Sequence, residues 1–403
     1  MHRLLPILGI TFVDILGFSM LIPMLPYFVT HFGASAVVVG IIFAVFSLCQ
    51  LISGPIWGNV SDRVGRKAVL IVSQIGATIG WAMLGAAPNI FWVFIARIVE
   101  GVSGGNIGVT QAYVADLVAP KDRARAFGYI SATFGAGMVF GPLGGGLLYA
   151  RYGFAVPFFV AAGLQFLTLL LTIVVLPESR GKGDGNVVGP LEIFSTFRDP
   201  QLSPMLWQKL ALSLALYGWF GVMALYLARQ LHLNLTQTDY YFSIVSVLNV
   251  FVNAVVISRA ATALGSRRMS TLGLFALVSM FALAPFVHGL PALTVLAIFM
   301  SFGLAFANTG LTALISSTAD DRRQGTVLGV TSSLDSFSGI VSPPISTGLL
   351  GRYGSPWSTA SSLLFATIAF VMGLVSGKRE RDDRAAAMQT LPETDPLRAE
   401  KAT

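Results

Sequence analysis

The sequence predicts an all-α integral membrane protein: twelve transmembrane helices in two pseudo-symmetric six-helix bundles. Three observations predict it. The first is composition, with 54% hydrophobic and 11% charged residues and a mean hydropathy of +0.74. A soluble domain carries about 25% charged residues. The second is that apolar runs recur along the whole chain, each near the ~20 residues a helix needs to cross a bilayer. Lipid cannot satisfy backbone polar groups, so these runs must be helical, and they lack the alternation of a barrel strand. The third is an internal repeat. Displacing the chain by 201 residues places Gly128 on Gly329, Ser131 on Ser332, Pro142 on Pro343, and the Arg-Tyr-Gly at 151–153 on the one at 352–354. A displacement of 202 places Asn106, Gly108 and Thr110 on Asn308, Gly310 and Thr312.

The spans expected are 4–29, 37–58, 68–87, 90–115, 125–149, 154–176, 205–228, 238–258, 269–288, 291–317, 326–350 and 355–376. The first is too long for a signal-peptide core and no A-x-A site follows it, so it is read as a retained span. Residues 1–180 form the first bundle and 205–377 the second. Residues 181–204 are a cytoplasmic central loop, and 378–403 a charged, disordered tail. The lone Cys49 lies in span two, where it packs.

Net charge is +7, but its distribution points to a membrane rather than to nucleic acid. Arg63, Arg66, Lys67, Lys121, Arg123, Arg125, Arg259, Arg267, Arg268 and the tail fall on one side with both termini. Only Arg151, Arg229 and Arg352 fall on the other. This asymmetry makes both termini cytoplasmic. No cofactor or metal is expected and no ATP-binding G-x4-G-K-[ST] occurs, so any transport must run on gradients. The "GVSGG" at 101–105 fits a serine-hydrolase pattern, but the histidines at 2, 31, 232 and 288 all lie at span ends or in loops. Small-residue packing explains it better, and the chain is read as no enzyme.

Charges inside apolar runs are the functional candidates, because they are costly there. Asp14 is the only charge between Arg3 and Asp62. At a rise of ~1.5 Å per residue it lies ~15 Å into span one. Arg97 and Glu100 lie ~10 Å and ~15 Å into span four, three apart and able to meet. These three form a central layer expected to hold one exchangeable proton, the alternative being a structural ion pair. Asp335 sits at similar depth in span eleven, opposite Phe134 in the repeat. It could bind a cationic substrate or a second proton, or pack through hydrogen bonds. Tyr217 and Asn308 are further substrate-binding candidates, as polar groups suited to a flat amphipathic molecule.

Two stretches carry a family signature. "GNVSDRVGRK" at 58–67 joins spans two and three, with Gly58, Asp62, Arg63, Gly65, Arg66 and Lys67 in the order G-x3-D-R-x-G-R-K. It resembles the signature loop of the major facilitator superfamily. "GYISATFGAGMVFGPLGGG" at 128–146 places Gly128, Gly137, Gly141, Pro142, Gly145 and Gly146 in a pattern similar to the antiporter motif of that superfamily's drug:proton exchangers. Span four, with its in-membrane arginine, and span one also look like family members. The nearest group is the tetracycline-resistance type, although spans three and nine carry no carboxylate where such pumps tend to hold an acid in span three. The resemblance implies the major facilitator fold, with a cavity lined by spans one, four, seven and ten. It also implies a charge cluster of Asp62, Arg66 and Asp116 latching one conformation. The expected function is export of a small amphipathic drug or antibiotic, tetracycline-like molecules included, in exchange for protons by a monomer in the inner membrane. The rival readings are a facilitator or symporter for a sugar or other metabolite, and a non-transporting sensor.

Overall fold

A computed structural model describes residues 4–104, 106–118, 122–179, 196–319 and 324–390. The first half comprises α1 (Leu5–His31), α2 (Ala36–Val64), α3 (Arg66–Gly85), α4 (Ile90–Ser103), α5 (Asn106–Leu117), α6 (Arg123–Tyr152) and α7 (Ala155–Val175). The second comprises α8 (Ser203–Gln230), α9 (Leu235–Phe251), α10 (Ile257–Leu283), α11 (Leu290–Thr318), α12 (Gln324–Tyr353) and α13 (Ala360–Thr390). Most of the expected central loop lies outside the described residues, as does the tail beyond Thr390. The last helix continues past Gly377, into the stretch expected to be disordered.

Local chemistry sets the ends. Prolines occupy the first turns of α1, α8 and α11, where a missing N–H costs nothing. Asn234 and Gln237 form a reciprocal capping box at the start of α9. Gly265, at φ +73° inside α10, breaks that segment into two helices, because only glycine takes this backbone without strain. The fourth span breaks at Gly104, between α4 and α5.

Ten segments among the described residues are long and apolar enough to cross a membrane. One of them, Leu235–Phe286, is 52 residues long and contains the Gly265 break. The 30-residue α12 has crossing length but is rich in serine, threonine and glycine. Large apolar side chains such as Leu167, Val174, Phe251, Phe275 and Leu364 stay exposed on outward faces, as contact with lipid tails requires.

Helix pairing repeats between halves. In the first half α1 packs on α6, α3 on α7 and α2 on α4; in the second α8 packs on α12, α10 on α13 and α9 on α11. These are equivalent pairs in the repeat. The halves meet through α2 with α12 and α6 with α9, which the repeat also exchanges. The hydrogen bonds across this seam join Tyr27 to Leu233 and Thr238, at the face opposite the 58–67 segment. At the same face, a Cβ placed on Gly40 would fall 2.7 Å from the Pro343 carbonyl oxygen, so bare backbone is what lets α2 approach α12.

Candidate functional site: charged layers in two half-bundles

The 58–67 segment is mostly helix rather than the loop its sequence suggests. Gly58 to Val64 form the last turns of α2, and Gly65 alone makes the turn, at φ +104°. Asp62 pairs with Arg66 at 2.5 Å. Arg66 Nε also reaches Asp116 of α5 at 3.4 Å, and its Nη1 donates to Ser61 Oγ at 2.5 Å. The cluster of Asp62, Arg66 and Asp116 is thus assembled around a buried guanidinium. Lys67 donates from its backbone to Glu178 at 3.2 Å and from Nζ to the Ile173 carbonyl at 2.8 Å. Glu178 also fills the space beside Gly65, where any side chain would collide with its carboxylate. Sequence reasoning did not include Glu178. Arg63 is exposed, and Gly58 has open space beside it.

The α6 glycines divide their work. Gly137, Gly141 and Gly145, four apart, present one smooth strip to α1. A Cβ on Gly141 would strike Ser19 and the Leu16 carbonyl, and one on Gly145 would strike Met20. Ser19 Oγ donates to the Gly137 carbonyl at 2.8 Å, possible only at this close crossing. Gly146 faces the other way, onto Asp239 of α9. Gly128 meets nothing, and the helix runs unbroken through Pro142.

In the first half, Arg97 and Glu100 of α4 form an ion pair, both buried. The guanidinium lies 5.0 Å from the Phe46 ring and 5.9 Å from Trp81, where cation–π attraction offsets part of its lost hydration. Gly80 and Gly101 give the space: a Cβ on Gly80 would overlap Glu100, and one on Gly101 would overlap Cys49. Trp81 in turn packs on Gly17, one turn from Asp14. Asp14 accepts a hydrogen bond from Gln165 Nε2 of α7 at 2.8 Å. Gln165 is 1% exposed and neutral, so it holds the carboxyl without fixing its proton. It was not among the expected residues, although it is a lone amide in a strongly apolar run.

The second half has its own charged set. Lys209 Nζ of α8 lies 3.0 Å from Asp335 Oδ1 of α12 and donates to Asn308 Oδ1 of α11 at 3.2 Å. Ser213 Oγ donates to the same Asp335 oxygen at 2.5 Å. Tyr217, one helical turn further along α8, packs beside Gly339, which lies one turn beyond Asp335. Asp335 and Asn308, named separately from the sequence, are therefore joined, and Lys209 joins them. Lys209 was visible as a lone cation in an apolar run. Its partners were not, since they lie about a hundred residues away. The Asp335 side chain keeps 34% of its surface exposed against 7% for Lys209, so the pair has one open side. Ser103 of the hydrolase-like stretch donates to Val99 of its own helix at 2.7 Å.

No group of three or more His, Cys, Asp and Glu side chains able to hold a metal is found among the described residues. The geometry places ionisable groups inside membrane-length helices of both halves, with a seam between them.

Comparison with known proteins gives the family. A sequence model of the Major Facilitator Superfamily matches residues 7–256 and 210–396. The class C tetracycline resistance protein of Escherichia coli is 30% identical over 386 residues, covering 92% of this chain and 95% of that one. Multidrug resistance protein 2 of Bacillus subtilis is 26% identical, covering 93% and 95%. Among solved structures, a bacterial homologue of the human lysosomal transporter Spinster, in an inward-facing unoccupied conformation, superposes with a TM-score of 0.75 at 16% identity, covering 94% of this chain and 96% of that one. A human organic anion transporter superposes with a TM-score of 0.70 at 20% identity, covering 92% and 98%. This multi-pass membrane chain belongs to the Major Facilitator Superfamily.

Proposed function

We propose that the protein exports a small amphipathic drug or antibiotic in exchange for protons, by alternating access between two six-helix bundles, with both termini on the cytoplasmic side of the inner membrane. The observation that carries this reading is the pair of charged sets, one in each half and both within helices of membrane-crossing length. A proton arriving on a carboxylate there changes the charge that a substrate meets, and both sets flank the seam along which the halves would rock. Relatives named for tetracycline and multidrug resistance support a drug as substrate.

Asp14, held by Gln165 alongside the Arg97–Glu100 pair, is the proposed proton carrier of the first half. Lys209, Asn308, Asp335 and Tyr217 form the proposed substrate wall of the second. The contacts described across the seam, from Tyr27–Thr238 inward to Gly339 against Ser47, suit a state closed on the outer face. The Asp62–Arg66–Asp116 cluster is the proposed latch for one of the two states.

The test uses purified protein in proteoliposomes with an internal pH dye, an imposed pH gradient and a panel of amphipathic drugs that includes a tetracycline. Proton flux evoked by a drug and lost in Asp14→Asn is the expected result. Uptake of a sugar or other metabolite with no pH change would replace antiport by facilitation and leave Asp14 a structural charge.

A further inference from the structure

Asp239 belongs to neither charged layer. It lies on the second turn of α9, is 0% exposed, and neither carboxylate oxygen has a hydrogen-bond partner. Its wall across the seam is α6. A Cβ on Gly146 would stand 2.7 Å from Asp239 Cβ and 2.9 Å from its Oδ2, so the carboxyl presses on bare backbone of the opposite half. One residue before it, Thr238 hydrogen-bonds Tyr27 Oη of α1 at 2.7 Å, and Tyr27 also donates to the Leu233 carbonyl at 2.8 Å. The titratable neighbours are therefore phenols: Tyr27 from α1, with Tyr149 of α6 beside it. Tyr226 of α8 gives its hydroxyl hydrogen bond to the Ala284 carbonyl. Among the described residues, no Lys, Arg or His makes an ion pair with Asp239.

An ionised carboxylate sealed in this way, with no partner, costs several kcal/mol relative to water. The neutral acid loses far less. When the halves part on this face, Gly146 withdraws, water reaches Asp239 and the charge is tolerated. Closing the seam and protonating Asp239 are therefore one linked event.

We propose that Asp239 is a proton-binding site of the closed seam, separate from the central layers. It takes a proton from the compartment on its own face as the halves close there, and returns it to that compartment when they part. The sign follows from linkage: the closed state binds the extra proton, so closure gains as pH falls and is lost as pH rises. One linked proton changes the open-to-closed ratio by about tenfold per pH unit within the titrating window. On the exporter reading, on which this inference rests, an acidic exterior would then close the outer face after the drug has left.

The test reads conformation, not transport. Full-length protein carrying Cys49→Ser with spin labels at Val37→Cys and Trp357→Cys, exposed positions on opposite halves at this face, is placed in nanodiscs. Distance distributions are recorded from mildly acidic to mildly alkaline pH. The parent is expected to move from a short to a long distance as pH rises. Asp239→Asn, which is neutral at every pH, should hold the short distance throughout. Gly146→Ala, which forces α6 and α9 apart, should shift the equilibrium toward the long distance and its midpoint to lower pH; this arm decides if the Asn variant does not fold. A response to pH unchanged in either variant overturns the proposal. So does a parent with two populations indifferent to pH, which would leave alternating access standing. A single population under every condition would instead remove the alternating-access reading itself. Loss of drug-evoked flux in liposomes bears on the central site alone.

Discussion

The two halves hold their buried cations differently. Arg97 pairs with Glu100 three residues along the same helix, and ring faces of Phe46 and Trp81 flank it. Lys209 reaches across to two other helices, meeting Asp335 on α12 and Asn308 on α11, and Asp335 keeps a third of its surface open. A pair within one helix cannot be separated by moving helices. A pair between helices can, and a ligand can compete for its open side. Repeat symmetry of the backbone has thus been kept while the side chains diverged: one half carries a fixed clamp and the other an addressable pair.

The largest effect should come from breaking the clamp. Arg97→Ala strands Glu100 in a buried site, and a loss of about 3–5 kcal/mol is expected, read as thermal unfolding in detergent. Replacing both partners by apolar residues of similar volume should recover much of that loss. A single variant as stable as the parent would mean that the pair is no clamp at all.

Next in size is the packing that both layers rely on. Gly141→Ala pushes a methyl into Ser19 and the Leu16 carbonyl, with an expected cost of about 1–3 kcal/mol. Gly128→Ala, at the other end of the same motif with open space beside it, should cost nothing measurable. Equal losses at the two positions would refute the assignment of the glycine strip to the α1 crossing.

Lys209→Met removes charge-assisted contacts but leaves Asp335 partly solvated. A loss of about 1.5 kcal/mol is expected, smaller than at Arg97, together with a weakened substrate KM. Adding Asp335→Asn should restore stability but not substrate binding. If the double variant binds substrate as the parent does, the addressable pair is only structural. The smallest effect is expected at Arg63, exposed at the end of α2, where Arg63→Ala should stay within about 0.5 kcal/mol. Its neighbour Arg66, at the centre of the Asp62–Asp116 cluster, should be far more sensitive. Unfolding curves of the two alanine variants side by side would show whether burial sets that difference.

Legibility differed by residue. Asp14, Arg97, Glu100 and Asp335 stood out because a charge in an apolar run is rare and costly. The Arg97–Glu100 pair could be predicted outright, since three residues apart on a helix is a contact distance. Gln165, Lys209 and Glu178 were overlooked as partners, and Asp239 was not singled out. Each acquires its meaning from a helix that lies far away in sequence. Even the 58–67 segment, whose composition marked it clearly, was misjudged as a loop: helix α2 continues to Val64 because only Gly65 departs from helical backbone.

The sequence by itself determined the solvent, the helical class, the repeat and the set of in-membrane charges, because hydropathy and short-range spacing are local properties of the chain. Tertiary structure alone decided which of those charges face each other, which glycine strip meets which helix, and that Asp239 is sealed against Gly146. Those are consequences of close packing between surfaces brought together from distant parts of the chain, and no local pattern encodes them.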